Sequence, residues 1–180
     1  MRLLNVALVF SFFLLTAYTG IQELAAAWQI DEDYKIKFST ASASGTFDQL
    51  QGTIVFDENN LDASTMDVQV DVNSINTGNS TKDKHARGES WFDAASHPNI
   101  TFRSKQFEKT SEGYAVVGDL NMRGVQKEVR IPFTFEQQST GGLFVSSFEV
   151  KRKDYGIKGP LMGFVVGKTL QVDLRVPVTK

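Results

Sequence analysis

Two histidines, His85 and His97, are the only imidazoles in the chain, and no cysteine accompanies them. His85 stands two residues after Asp83 and four before Glu89. If that stretch is helical, His85 and Glu89 share a face, a spacing that suits an acid–base pair or half of a metal site. A zinc centre takes three or four ligands, and only one other imidazole exists to supply them. The lack of cysteine removes thiolate ligands, thiol nucleophiles and disulfides together. Serines are plentiful, yet none stands in a nucleophile elbow and no serine–histidine–acid set can be assembled. Gly163-Phe164-Val165-Val166-Gly167-Lys168-Thr169 looks superficially like a phosphate loop. That loop carries four residues between its glycines, follows a strand and opens a helix. Here the gap is three, and Leu170 onward alternates like a strand. No catalytic residue, metal or cofactor is expected. Lys82, Asp83, His85, Arg87 and Trp91 are read instead as the polar mouth or cap of a larger structure.

That larger structure is built of strands. Met66, Val68, Val70 and Val72 alternate with Asp67, Gln69 and Asp71. Val129, Ile131, Phe133 and Phe135 form a second series, interrupted by Pro132, which predicts an edge or a bulge. Leu170, Val172, Leu174, Val176 and Val178 form a third. Looser runs cover residues 34–39, 46–56, 99–107, 113–122 and 143–151, which makes about eight strands with one apolar face each. Arg123-Gly124 and Thr140-Gly141-Gly142 are turn signals short enough for antiparallel hairpins. Alternation stops from Asn79 to Asp93, where one helical stretch is expected, ending at Trp91-Phe92.

Eight amphipathic strands can stack as a sandwich or close into a barrel, and periodicity does not separate the two. A closed barrel of this size holds side chains or one small ligand. The inward residues would include Phe38, Phe47, Phe56, Val68, Val70, Phe92, Phe102, Leu120, Phe133, Phe135, Phe148 and Leu174. They would line an apolar lumen or fill a core. The chain has 14 Phe and only 4 Pro, and rings give smooth walls without polar atoms to satisfy.

The first segment reads as an address. Met1-Arg2 is followed by an apolar run from Leu3 to Tyr18 and by Ala25-Ala26-Ala27. This is the layout of a secretory signal peptide with an A-x-A cleavage site. A membrane span needs roughly 20 apolar residues, more than this run offers. Residues 1–27 are therefore read as a signal peptide cleaved near Ala27-Trp28. Residues 28–180 form the mature domain, periplasmic or secreted, with no stable membrane span. Trp28 would pack in the core or, as an N-terminal aromatic does in similar barrels, plug one barrel end. The net charge of −2, with 19 basic and 21 acidic residues scattered along the chain, provides no basic block for nucleic acid.

Several segments resemble the YceI-like family, lipid- or polyisoprenoid-binding proteins of bacteria. They are Trp28-Gln29-Ile30-Asp31, Gly45-Thr46-Phe47 with Leu50 to Asp57, and Thr77 with Lys82-Asp83-Lys84-His85. Further matches are Trp91-Phe92-Asp93, Pro98 to Phe102, Gly118 to Val125, Arg152 to Gly156 and Val166 to Leu170. The resemblance covers the whole mature chain in order. It implies a lipocalin-like eight-stranded antiparallel barrel whose interior sequesters or carries a long apolar isoprenoid lipid of polyprenyl or quinone type. Against the family pattern, Ser39 to Ser44 lacks a His that many members carry. Lys82 stands for Arg, Ala86 for Leu, and Trp91 for Phe. Lysine is a point charge rather than a planar fork, so a headgroup preference does not transfer. The competing readings are a filled barrel that docks a periplasmic protein partner and an enzyme acting on a small apolar substrate. A homodimer is compatible with either binding role.

Overall fold

The computed structural model describes residues 27–158 and 167–180. The leader and most of the glycine-rich run lie outside them. Strand β1 comprises Ala27–Ile30 and Lys35–Ser39, and β2 comprises Ser44–Phe47 and Leu50–Val55. Strand β3 comprises Thr65–Asp71 and, after a 3-10 turn, Ile75–Asn76. The remaining strands are β4 (Asn99–Thr110), β5 (Gly113–Met122), β6 (Val125–Gln137), β7 (Gly141–Lys151) and β8 (Thr169–Thr179). Each pairs antiparallel with its neighbour in sequence. Strand β1 also pairs with β8, through Gln29↔Thr179 and again through Ile36↔Leu174. The sheet thereby closes into an eight-stranded antiparallel barrel.

Closure requires the early strands to bend, which explains why the sequence run at 34–39 is one part of a broken strand and the run at 46–56 spans the break in the next. At the bend of β2, the backbone N–H groups of Asp48 and Gln49 both donate to Ser74 Oγ, each at 3.1 Å. The Tyr34 hydroxyl donates to Asp48 O and accepts from Leu50 N, both at 2.8 Å. Backbone groups released by the break are thus re-satisfied locally. The β5–β6 hairpin turns in two residues, with Arg123 and Gly124 at φ 53° and 73°. Positive φ at both positions defines the type I′ turn that suits twisted strands.

Pro132 lies inside β6, opposite Ala115 of β5. The β6–β7 ladder ends close by, at Thr134↔Val145. Proline has no N–H to donate, and here Ser146 Oγ donates to the Pro132 carbonyl at 2.6 Å where the ladder stops.

One α-helix, α1 (Ser80–Arg87), is found among the described residues. The Asn79 side chain caps it by accepting from Thr81 N and Lys82 N, the expected N-cap arrangement. It ends at Gly88, whose backbone is extended. The helix is therefore shorter than the sequence suggested: Glu89, Trp91 and Phe92 follow it in turns.

The outer wall is charged. Arg103 pairs with Asp67 at 2.7 Å, Lys105 with Asp119 at 2.6 Å, and Arg130 with Glu108 at 2.9 Å, all cross-strand. A membrane-spanning barrel carries an apolar band outside and a polar lumen; this polarity is the reverse. Inside, at the end where β1 begins, Phe56 is ringed by Tyr114, Phe133, Phe135, Phe144 and Phe107 at centroid distances of 5.1–5.9 Å. Trp28 is buried beside Phe135, and its Nε1 donates to Phe56 O at 3.0 Å. This aromatic plug shuts one end of the barrel. Trp28→Ala should cost about 3–5 kcal/mol, the usual loss for a buried large aromatic. Urea unfolding of the mature domain would measure it, and a loss below about 1 kcal/mol would show that the plug does not brace the barrel.

Candidate functional site

Above the plug the barrel interior is not full. It encloses a cavity of about 180 Å³. Strands β2 and β3 give it Leu50, Ile54, Val68 and Val70; β4 and β5 give Phe102, Val116 and Leu120. Phe133, Phe144 and Phe148 come from β6 and β7, Leu174 from β8, and Phe38 and Phe47 from the first two strands. Among the lining residues only Thr101 and Ser146 carry polar side-chain atoms, and the Ser146 hydroxyl is already committed to Pro132. An apolar cavity of this size stays dry, because water would find no partners in it. At about 24 cal/mol per Å³ of unfilled space, leaving it empty costs about 4 kcal/mol of packing.

A second cavity, of about 500 Å³, lies at the opposite end from the plug. Phe38 lines both cavities. Its ring stacks obliquely on Phe47 at 5.4 Å, and Phe47 meets Phe92 edge-on at 5.7 Å, so three rings form a neck between mouth and interior. Helix α1 contributes Lys82, His85 and Ala86, the following turns contribute Trp91 and Phe92, and Arg152 closes one side. Thr40, Ser42, Thr77, Asn79 and Thr81 supply hydroxyls and an amide. Among the described residues of this lining, Lys82, His85 and Arg152 are the titratable or charged ones, and none is a carboxylate. The mouth thus combines cationic, hydroxyl and amide side chains, while the interior lining is almost wholly apolar.

Each predicted cap residue has a defined place. Lys82, His85 and Trp91 line the mouth. Asp83 and Arg87 anchor the helix instead. Asp83 accepts from Thr77 N at 2.8 Å and from Thr77 Oγ1 at 2.6 Å, and Arg87 Nη1 donates to Asn73 O at 3.1 Å. His85 and Glu89 do not share a helical face, because Gly88 ends the helix before Glu89. His97 packs instead against Gly124 of the β5–β6 hairpin. Among the described residues no cluster of three or more His, Asp or Glu could hold a metal ion. Of the glycine-rich run, Thr169 opens strand β8 rather than a helix.

Of the residues expected to face inward, Phe38, Phe47, Val68, Val70, Phe102, Leu120, Phe133, Phe148 and Leu174 line the interior cavity. Phe56 and Phe135 belong to the plug, and Phe92, which lies outside any strand, belongs to the mouth. Sequence reasoning gave no site role to Arg152. It is 7% exposed, donates to the carbonyls of Gly167, Ile157 and Lys158 at 2.7–2.8 Å, and sits 5.7 Å from the Trp91 ring centroid. A second such residue is Arg123, whose guanidinium ties the β5–β6 hairpin to Gly156 O and Glu89 O. Both lie in the quoted family motifs, but nothing in their spacing announces these backbone partners.

Fold and site together define a closed antiparallel barrel, sealed at one end, with an apolar interior behind a polar mouth. A family model described as the YceI-like domain matches residues 28–178, and the chain belongs to the YceI-like family. A UPF0312 protein of Yersinia pestis (strain Pestoides F) is 32% identical, over 78% of this chain and 80% of its own length. A similar relative in Yersinia enterocolitica has the same identity and coverage. Among solved structures, Burkholderia cenocepacia BcnA superposes with a TM-score of 0.78 at 22% identity, covering 84% of this chain and all of its own. A polyisoprenoid binding domain from Saccharophagus degradans, implicated in plant cell wall breakdown, superposes with a TM-score of 0.59 at 14% identity. It covers 87% of this chain and 95% of its own.

The Asp83 anchor should make the helix at the mouth sensitive to acid. Hydrogen bonds from the Thr77 side chain, then from the Thr77 backbone, hold the Asp83 carboxyl below its ordinary value of 3.8. A depressed carboxyl stabilises the folded arrangement above its unfolded pKa, and the contribution is lost as pH falls through the folded one. Helix α1 should therefore loosen only below pH 3.8, and Asp83→Asn should remove that acid transition. Trp91 fluorescence followed from neutral to acid pH in both proteins measures it; an identical transition in the variant would assign the effect to another group.

Proposed function

We propose that this protein sequesters or carries an isoprenoid lipid of polyprenyl or quinone type, with its tail in the barrel and its headgroup at the mouth. The observation that carries the reading is the dry, almost wholly apolar cavity above the plug. Each CH₂ moved there from water contributes about 0.8 kcal/mol, so a hydrocarbon tail can bind tightly without a strong headgroup grip. The mouth, with Lys82, His85, Arg152 and several hydroxyls, suits the polar end of such a lipid. The structural likeness to a polyisoprenoid binding domain supports the same class of ligand.

A binding role rather than catalysis is in keeping with the YceI-like family, and among the described residues the interior lining offers only the Thr101 and Ser146 hydroxyls as polar side-chain groups. The protein's work is done in the periplasm or outside the cell, after cleavage near Ala27-Trp28. Such a cut keeps Trp28, and with it the whole plug, in the mature domain.

Organic extraction and mass spectrometry of protein purified from its native host test this reading. Wild type should yield a polyprenyl or quinone species near one per chain. Val68→Trp, which fills the cavity and costs about 1–3 kcal/mol of overpacking, should stay folded by circular dichroism and lose at least tenfold of the lipid. A clean wild-type extract, repeated after isoprenoids are offered to the purified protein, would contradict the proposal.

A further inference from the structure

We propose that the protein docks mouth-first on an anionic lipid surface, held there by exposed cations on the rim of the barrel opening. The inference goes beyond the isoprenoid reading above and does not need a tail in the barrel. Its basis is the way charge is sorted along the barrel axis. At the plug end, the connections between strands carry Asp57, Glu58, Asp62 and Glu112. The break in β1 nearby adds Asp31, Glu32 and Asp33, and no Lys or Arg stands in any of these segments. Lys180, just past β8, lies over the Trp28 ring at 5.0 Å.

The opposite end reverses the sign. Its connections carry Lys82, Lys84 and Arg87 in α1, Arg123 in the β5–β6 turn, and Arg152, Lys153, Lys158 and Lys168 between β7 and β8. Among the described residues, the carboxylates of these connections are Asp83, Glu89, Asp93 and Asp154, and Asp83 is committed to Thr77. On the wall between the two ends, cross-strand pairs such as Arg103–Asp67 and Arg130–Glu108 match the signs. Charges scattered along the sequence are thus sorted in space, and the net charge of −2 conceals an acidic plug and a basic mouth.

Buried Arg152 gathers the mouth cations. It donates from Nε to Gly167 O and from Nη1 to Lys158 O, each at 2.8 Å, and its backbone N–H donates to Lys168 O at 3.2 Å. Three segments are pinned at one point, and Lys153, Lys158 and Lys168 are all exposed around it. Arg152 lines the same opening as Lys82, which is exposed too, so helix α1 joins the rim. A planar array of anionic headgroups meets these cations together and covers the entrance to the apolar interior at the same time. Each lysine held near such a surface raises partitioning about fivefold. The acidic plug is repelled by the same field, which sets the orientation.

Co-sedimentation of the purified mature protein with phosphatidylcholine vesicles, with and without about one third phosphatidylglycerol, tests the proposal. Anionic vesicles should be preferred at least about a hundredfold at ~0.15 M salt, and the preference should vanish near ~1 M, where screening is complete within about 3 Å. Replacing Lys153, Lys158 and Lys168 together by Gln should cost at least about thirtyfold. Replacing Lys35, Lys37 and Lys109 together by Gln makes the same change in net charge and should cost less than about threefold. All six lysines are exposed, so both variants should fold. The chain has no cysteine, so a polarity-sensitive dye can be placed at Ser90→Cys beside the mouth or at Ser139→Cys in the β6–β7 turn. Only the dye at the mouth should respond to vesicles. Equal binding to neutral vesicles, an equal loss in the control variant, or an equal response at Ser139→Cys would overturn the docking and leave the isoprenoid reading standing. Soluble polyglutamate that binds and is not displaced by anionic vesicles would overturn it as well, by making the rim a protein-docking surface.

Discussion

Everything in this protein follows from closing eight amphipathic strands on themselves. Once closed, every second residue points into one shared lumen, and the chain must either fill that space or leave it for something else. Here it does both. At one end Trp28, Phe56, Phe133, Phe135 and Phe144 fill the cross-section with interlocking rings. Further up, valine, leucine and isoleucine line the wall without meeting at the centre. Small residues at Gly118 and Gly142 accept the rings of Phe102 and Phe135 edge-close. The Phe102 ring thereby lies against the wall, whereas that of Phe135 belongs to the plug.

The two ends of the molecule differ in chemistry as well as packing. The plug satisfies its polar atoms internally: the Trp28 indole donates to a carbonyl and the Tyr114 hydroxyl donates to Glu58 at 2.7 Å. The mouth presents cationic and hydroxyl groups with no carboxylate among the described residues of its lining. Its helix is held from outside the cavity by Asp83 and Arg87, and the turn after it by Arg123 reaching to Glu89 and Gly156. Anchors and lining are thus separate sets of residues. The lining can vary while the helix stays in place.

Much of this was legible in the chain. Alternation at 66–70, 129–135 and 170–178 names the inward faces correctly, because a period of two is preserved in any closed sheet. Alternation could not say which inward residues meet a cavity and which meet one another. Phe56 and Phe135 look identical to Phe102 in sequence, yet their neighbours across the barrel are rings. Helix α1 was visible from its lost alternation, but Gly88 ends it sooner than the charge pattern implied, which separates Glu89 from His85. Burial of Arg152 was invisible for a simple reason. Its partners are the main-chain carbonyls of Ile157, Lys158 and Gly167, and backbone acceptors leave no mark in side-chain spacing.

The central claim is that the space above the plug is a dry hydrocarbon site and not a packing defect. A crystal structure of the mature domain purified from its native host without delipidation addresses it most directly. The account predicts continuous elongated density running from beside Lys82 and His85, past the Phe38–Phe47 neck, and ending against Phe133 and Phe144. A lumen holding ordered waters, or one closed by collapse of the lining side chains, would contradict it.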